Sequence, residues 1–286
     1  MTIVVTGATG KVGRHIVEKL VAAGERVRAV TRRPDRARFP AGVEVAGGDL
    51  TTPPTLAAAL RGATGLHLIT TGGSDYATLR TGRELVALAE RSGVRRVTVL
   101  WNGEEGPVEE AVRASALDWT VLQPVEFMGN ALTWADSIRS EGVVREPFGS
   151  TRSAAIHEAD IAAAAVEVLR GGAYAGRTLT LTGPEALTVP QKVRAIGEAI
   201  GRELHYVELS EYEARERWRG QGYSAELIEM FVSWFGDPPP QAYTVLPTVE
   251  QITGHAPRTF ARWAAEHRDA FRAAGLTGRG AGTPPP

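Results

Sequence analysis

One short stretch near the start constrains this chain more than any other. Thr6-Gly7-Ala8-Thr9-Gly10-Lys11-Val12-Gly13 follows the apolar run Ile3–Thr6 and leads into a segment whose apolar residues Val12, Ile16, Leu20 and Val21 fall three and four apart. The run reads as a buried strand and the spacing as one face of a helix. Glycine allows the sharp turn between them and lets the backbone approach a ligand, while Gly13 lets the helix pack closely on the strand. Amides at the start of such a helix attract an anion. The expectation is a pyrophosphate cradle built on Gly7, Gly10 and Gly13. The plain rival is a glycine-rich turn with no ligand.

The rest of the first half repeats the alternation. Strands are expected at Val27–Val30, Val43–Val45, Leu66–Thr70, Val97–Leu100 and Thr120–Leu122, and Leu79, Leu85, Val86 and Ala89 make a second helical face. Gly24 and Gly93 stand where helices should end. Strands alternating with helices predict βαβ units and a parallel sheet covered on both faces. After Gly142 the character changes. Pro147-Phe148-Gly149 suggests a loop, a helix spans about Ala159 to Leu169, and Thr178–Leu181 returns as a strand. Beyond Gly183-Pro184 the chain reads as helical, with a strand at Leu204–Val207 and aromatics gathered at Trp218, Tyr223, Phe231, Trp234 and Phe235. Asp237-Pro238-Pro239-Pro240 ends that segment, and a last helix is expected from about Arg258 to Ala274. The expected fold class is α/β: a Rossmann doubly wound parallel sheet over residues 1–142, with a return strand at about 178–182. A smaller, mainly helical substrate lobe is expected over 143–277, with a disordered tail over 278–286.

Composition excludes several classes. A net charge of -1 offers no polycationic field for nucleic acid or an anionic membrane, and the absence of cysteine removes disulfides and thiolate chemistry. Met1 leads straight into a strand without a leader, and no apolar run approaches the about 18 residues of a membrane span. A cytoplasmic protein without nucleic-acid or membrane partners is expected. The histidines at 15, 67, 157, 205, 255 and 267 lack metal-ligand spacing, so no metal is expected. Glu104-Glu105 and Glu109-Glu110 read as a solvated loop and a helix N-terminus.

The second strand ends Val30-Thr31-Arg32-Arg33, with two guanidinium groups where an NAD-specific domain carries a carboxylate. Arginine matches the 2′-phosphate of NADP in charge and geometry, so NADP(H) is favoured, with NAD(H) left open. Asp49-Leu50 follows the third strand, where the carboxylate can accept from an adenine amino group or cap the next helix.

These motifs, with Ser115–Pro124, Glu126-Phe127-Met128-Gly129-Asn130, Ala159–Ala162, Leu181–Thr188 and Ile252–Phe260, resemble the NmrA-like branch of the atypical, extended short-chain dehydrogenases. The resemblance covers nearly the whole chain. It implies a Rossmann domain with a small helical substrate lobe, and cofactor contacts from Thr9, Lys11, Val12, Thr70, Thr71, Gly72, Pro124, Val125 and Phe127. The branch includes NADPH-dependent quinone reductases, isoflavone-type reductases, polyketide-tailoring enzymes and non-enzymatic redox sensors.

The usual Tyr-x-x-x-Lys device of short-chain dehydrogenases is missing. The fifth strand runs into Trp101-Asn102-Gly103, none of the tyrosines has a lysine four residues on, and the lysines are Lys11, Lys19 and Lys192 alone. Lys192, in the second half, reads as misplaced for the lysine base of an isoflavone-type reductase. Hydride transfer to a quinone or polycyclic aromatic suits this absence, because a quinone needs little help from a general acid. Tyr76, Trp101, Phe127, Trp134 and Phe148 are the candidate aromatic slot, and Asn102 or Asn130 the carbonyl's hydrogen-bond partner, with Trp101 and Asn102 the catalytic candidates. Each aromatic also has a plain reading as core. By the resemblance, reduction of an anthraquinone-like polyketide could precede oxygen-dependent hydroxylation. A dinucleotide-binding redox sensor without turnover is the alternative, and reduction of a conjugated imine or enone a further one. A homodimer stays open.

Overall fold

The computed structural model describes residues 1–73, 77–103 and 105–272, so Tyr76, Glu104 and the tail expected at 278–286 lie outside the described residues. The main strands are β1 Thr2–Val5, β2 Arg26–Thr31, β3 Glu44–Gly47, β4 Gly65–Ile69, β5 Arg96–Leu100, β6 Asp118–Pro124, β7 Val143–Pro147, β8 Arg177–Leu181 and β9 His205–Leu209. Seven of them form one parallel sheet in the order β8-β6-β5-β4-β1-β2-β3. This is the doubly wound arrangement expected. The order reverses between β1 and β4, and the carboxyl ends of those strands open a crevice for a ligand.

Contacts divide the chain into two units. The first is Met1–Val125, Ile156–Thr182 and Leu246–Pro257; the second is Glu126–Ala155, Gly183–Val245 and the chain from Arg258. In the first unit, adjacent strand residues face opposite ways. Val4 joins a core with Leu85 and Val86 of the helix Gly82–Arg91, whereas Ile3 lies on the side of Leu169 from the helix Glu158–Gly171. Ile3, Val4 and Val5 are all fully buried, as a strand covered on both faces requires.

His67, on β4 between Val5 and Thr98, is a fully buried titratable residue of this unit. Its Nδ1 lies 2.9 Å from Thr98 Oγ1, while Nε2 has no hydrogen-bond partner among the described residues. Burial pulls the imidazole from its ordinary 6.5 down to about 4. Above pH 6.5 the ring is neutral in both folded and unfolded chains. As pH falls from there to about 4, the unfolded chain takes up a proton that the folded chain refuses, so stability falls. The full loss is about 3 kcal/mol at about 1.4 kcal/mol per unit. Urea unfolding of the wild type and His67→Gln between pH 4 and 7 should show the variant losing less by that amount. Parallel curves would exclude His67 as the source.

In the second unit, Met128, Ala131, Ala135, Ile138, Val144, Ile196, Phe260 and Trp263 build one core, and Ala214, Trp218 and Ile228 a smaller one. β7 pairs with β9 in parallel, apart from the main sheet. Three expectations need correction. The boundary expected at 142 falls after Val125, because Met128, Ala131, Ala135 and Ile138 bury their side chains in the second core. Gly142, read as the change of character, is the left-handed cap of the helix Ala135–Glu141. The helix expected from Arg258 to Ala274 is broken into Phe260–Glu266 and Arg268–Phe271 at His267, whose ring stacks on Trp263 at 4.4 Å.

Candidate cofactor and substrate sites

The glycine loop takes the shape its composition requires. Gly7 has φ +59, and Gly10 N donates to Gly7 O at 2.9 Å. The helix Gly13–Ala22 starts on Val12, with no side chain of the described residues capping it and no acid in its first turn. Such an end carries positive partial charge toward an anion. A Cβ on Gly13 would stand 2.2 Å from Gly7 O, so helix and loop are closer than any other residue permits. Thr6 ties this loop to β4: its Oγ1 donates to His67 O at 2.9 Å and accepts from Ile69 N at 3.1 Å. A dinucleotide pyrophosphate fits this cradle.

The remaining expected cofactor residues, Phe127 apart, stand at the carboxyl ends of β2, β3, β4 and β6. Arg32 and Arg33 differ from each other. Both are exposed, and the Arg32 guanidinium donates to Gly73 O, beyond β4, whereas no hydrogen bond or ion pair of the Arg33 guanidinium is shown among the described residues. Asp49 forms a local turn, with its Oδ1 accepting from Thr51 N at 2.9 Å and Thr51 Oγ1 at 2.8 Å. Those hydrogen bonds hold its carboxyl below the ordinary range. Leu50 is core, 8% exposed. Thr70 donates through Oγ1 to Leu100 O at 3.3 Å, and Thr71–Gly72 pairs antiparallel with Ala77–Thr78. Pro124 ends β6, and Val125 N donates to Leu181 O at 3.2 Å. Lys11 and Thr9 lie exposed on the loop, while the Val12 side chain is buried.

Of the catalytic candidates, Trp101 packs against the first unit's core and Asn102 Nδ2 donates to Thr78 Oγ1 at 3.1 Å. Glu109 closes the cap of the helix Pro107–Arg113, accepting from Gly106 N at 3.2 Å, and burial lifts its carboxyl above the ordinary range.

The second unit holds a cavity of about 780 Å³. That is the size of a small-molecule site. Trp134, Phe148, Trp218, Tyr223, Phe231, Phe235 and Phe260 supply its aromatic wall. Phe231 meets the rings of Trp218 and Tyr223 edge-on, each at 5.4 Å between centroids. Phe148 holds φ +56, a left-handed backbone costly for a residue with a Cβ. Its place is secured by Thr151 N donating to Phe148 O at 3.0 Å and Gly149 N donating to Glu208 Oε1 at 3.1 Å. Strain of this kind gathers at ligand sites. The charged lining residues are Glu126, Glu146, Glu213, Arg145, Lys192 and Arg217, three acids against three bases. Glu146 bridges two walls, accepting from Trp134 Nε1 at 2.9 Å and pairing with Arg217 at 2.5 Å.

The cavity thus collects Asn130, Trp134 and Phe148 from the expected substrate residues. Phe127, which precedes the 3-10 helix Met128–Trp134, is in the second unit but not among the lining residues, and Trp101 and Asn102 belong to the first unit. Sequence reasoning did not assign Glu126, Ser153, Lys192, Trp218, Phe231 or Phe260 to a site, although the aromatic concentration before Asp237 was a visible signal.

The chain is similar to known NAD(P)H-binding proteins. The profile of the NAD(P)H-binding family matches residues 7–104. The chain is 36% identical to a (4-alkanoyl-5-oxo-2,5-dihydrofuran-3-yl)methyl phosphate reductase of Streptomyces griseus, over 94% of this chain and 99% of the relative. It is 32% identical to an NAD(P)H azoreductase of Xenophilus azovorans, over 95% of this chain and all (100%) of the relative. A solved NADPH-dependent quinone oxidoreductase of Escherichia coli, complexed with NADPH, aligns with a TM-score of 0.79 at 24% identity, covering 92% of this chain and 99% of that one.

Proposed function

The chain belongs to the NAD(P)H-binding reductases, and from that premise we propose that it reduces a quinone or a polycyclic aromatic of the anthraquinone kind, with NADP(H) as the favoured cofactor. The bound cofactor supplies the hydride; the net reaction is NAD(P)H + H⁺ + quinone → NAD(P)⁺ + hydroquinone. Gly7, Gly10 and Gly13 would seat the pyrophosphate, and Arg33 the 2′-phosphate, with Arg32 holding the neighbouring loop in place. Thr9, Lys11, Val12, Thr70, Thr71, Gly72, Pro124 and Val125 complete the proposed cofactor set.

The observation that carries the substrate reading is the aromatic cavity with balanced charge. Flat, uncharged rings bury well against Trp134, Phe148 and Trp218. A phosphate ester, as in the substrate named for the Streptomyces griseus relative, would bring about two negative charges to a lining whose own charges cancel. The missing Tyr-x-x-x-Lys pair points the same way, since a quinone accepts hydride without a strong general acid.

The test is NADPH loss followed by absorbance against 1,4-naphthoquinone, an anthraquinone, an azo dye and a conjugated enone, with oxygen uptake recorded in parallel. Quinones should accelerate NADPH oxidation most, and oxygen uptake would mark a hydroquinone that goes on to hydroxylated product. Tight NADPH binding without turnover on any acceptor would instead identify a redox sensor.

A further inference from the structure

Lys192 is 5% exposed, yet it lines the cavity. Its Nζ lies 2.9 Å from Glu126 Oε2, and Ser153 Oγ donates to the same carboxylate oxygen. Separate elements bring the three together. Glu126 lies two residues after the end of β6. Ser153 pairs with Leu187 in a two-residue antiparallel ladder. Lys192 sits in the first turns of the helix Val189–Ile200, whose start is fixed by Thr188 N donating to Gln191 Oε1 at 2.9 Å and Gln191 N to Thr188 Oγ1 at 3.4 Å.

Stability does not call for this trio. A buried ion pair is often replaceable by apolar side chains without loss, because desolvation consumes the Coulombic gain. Nor is lysine the ordinary choice for such a pair: this chain carries only three lysines among its 32 basic residues, and arginine pairs more readily with a carboxylate. An ammonium has three donors. Among the described residues, one hydrogen bond is shown for it, to Glu126, and the cavity adjoins it.

We infer that Lys192 is the oxygen anchor of this cavity. The Glu126 carboxylate and Ser153 hold the ammonium in place, and a remaining N–H donates to the carbonyl oxygen of a flat aromatic ligand stacked on the Trp134 side. The ligand class is an uncharged polycyclic ring bearing a carbonyl. The inference rests on the substrate reading above, and it assigns which atom of that substrate is recognised. Glu126 is a positioning residue here, since it acts through Lys192.

The experiment compares binding of 1,4-naphthoquinone and naphthalene to the full chain, read by quenching of tryptophan emission, Trp134 and Trp218 being in the lining. The wild type should prefer the quinone by about 10-fold or more, the worth of a hydrogen bond to a charged donor. Lys192→Met should bring that preference close to one. Because it strands a buried carboxylate, the double variant Glu126→Gln/Lys192→Met is measured beside it and should lose the preference with the fold intact by circular dichroism. Lys192→Arg should keep part of it. Equal binding of the two probes by the wild type, or a preference retained in the folded double variant, overturns the anchor. A preference that depends on Lys192 without quinone turnover upholds the anchor and defeats the proposed reaction. Turnover that is indifferent to Lys192 does the reverse.

Discussion

Replacing Gly13 with alanine should cost this protein most of its affinity for NADPH. The new Cβ would lie 2.2 Å from Gly7 O, 2.8 Å from Gly7 C and 2.9 Å from Ala8 Cα, all of them backbone atoms of the phosphate loop. The helix cannot back away, because Ile16, Val17 and Leu20 behind it are fully buried. Gly7 cannot adjust easily either, since its own left-handed backbone faces the Ile69 side chain. The loop must therefore move, and overpacking of this sort costs about 1–3 kcal/mol. At about 1.4 kcal/mol per tenfold, the NADPH dissociation constant should rise about 5- to 140-fold. Gly10→Ala is the internal comparison: its Cβ would meet Gly7 O at 3.1 Å, a contact that a small shift relieves. Calorimetric titration of both variants decides the matter. If Gly13→Ala binds as tightly as the wild type, the cradle is not where the pyrophosphate sits.

Arg33→Ala should remove the preference for NADPH while sparing NADH. Arg33 is exposed at the end of β2, and a charge-assisted hydrogen bond to a phosphate contributes about 1.5–3 kcal/mol. The specificity constant for NADPH should fall about 10- to 100-fold. Arg32→Ala should behave differently. Its guanidinium holds Gly73 O, next to Thr71 and Gly72, so its loss should weaken both cofactors. Steady-state titrations with each nucleotide separate the two cases. An equal fall for NADPH and NADH in Arg33→Ala would show that the residue does not read the 2′-phosphate.

Strands of the main sheet were legible because several carry apolar residues on both faces between turn-forming stretches, as Ile3–Val5 and Val97–Leu100 do. β7 was not foreseen. Its segment Val143-Val144-Arg145-Glu146-Pro147 mixes charge with apolar residues, and among the described residues it pairs with β9 alone, far along the chain. The break at His267 was equally invisible, since apolar periodicity continues through it and the departure lies in the backbone of one residue, at φ -107 and ψ 10.

The sequence by itself determined the glycine loop, the parallel sheet and the paired arginines after β2. All three rest on local chemistry: a turn without side chains, runs of apolar residues, a charged pair at a strand end. Tertiary structure alone decided which side chains share the cavity. Glu126, Ser153 and Lys192 meet there although they are widely separated along the chain, and the lysine that looked misplaced became part of a lining wall. Residue spacing reports on neighbours within one helix or strand. It carries no record of which elements pack together, and that packing is what gives a buried ammonium its partner and its ligand-facing side.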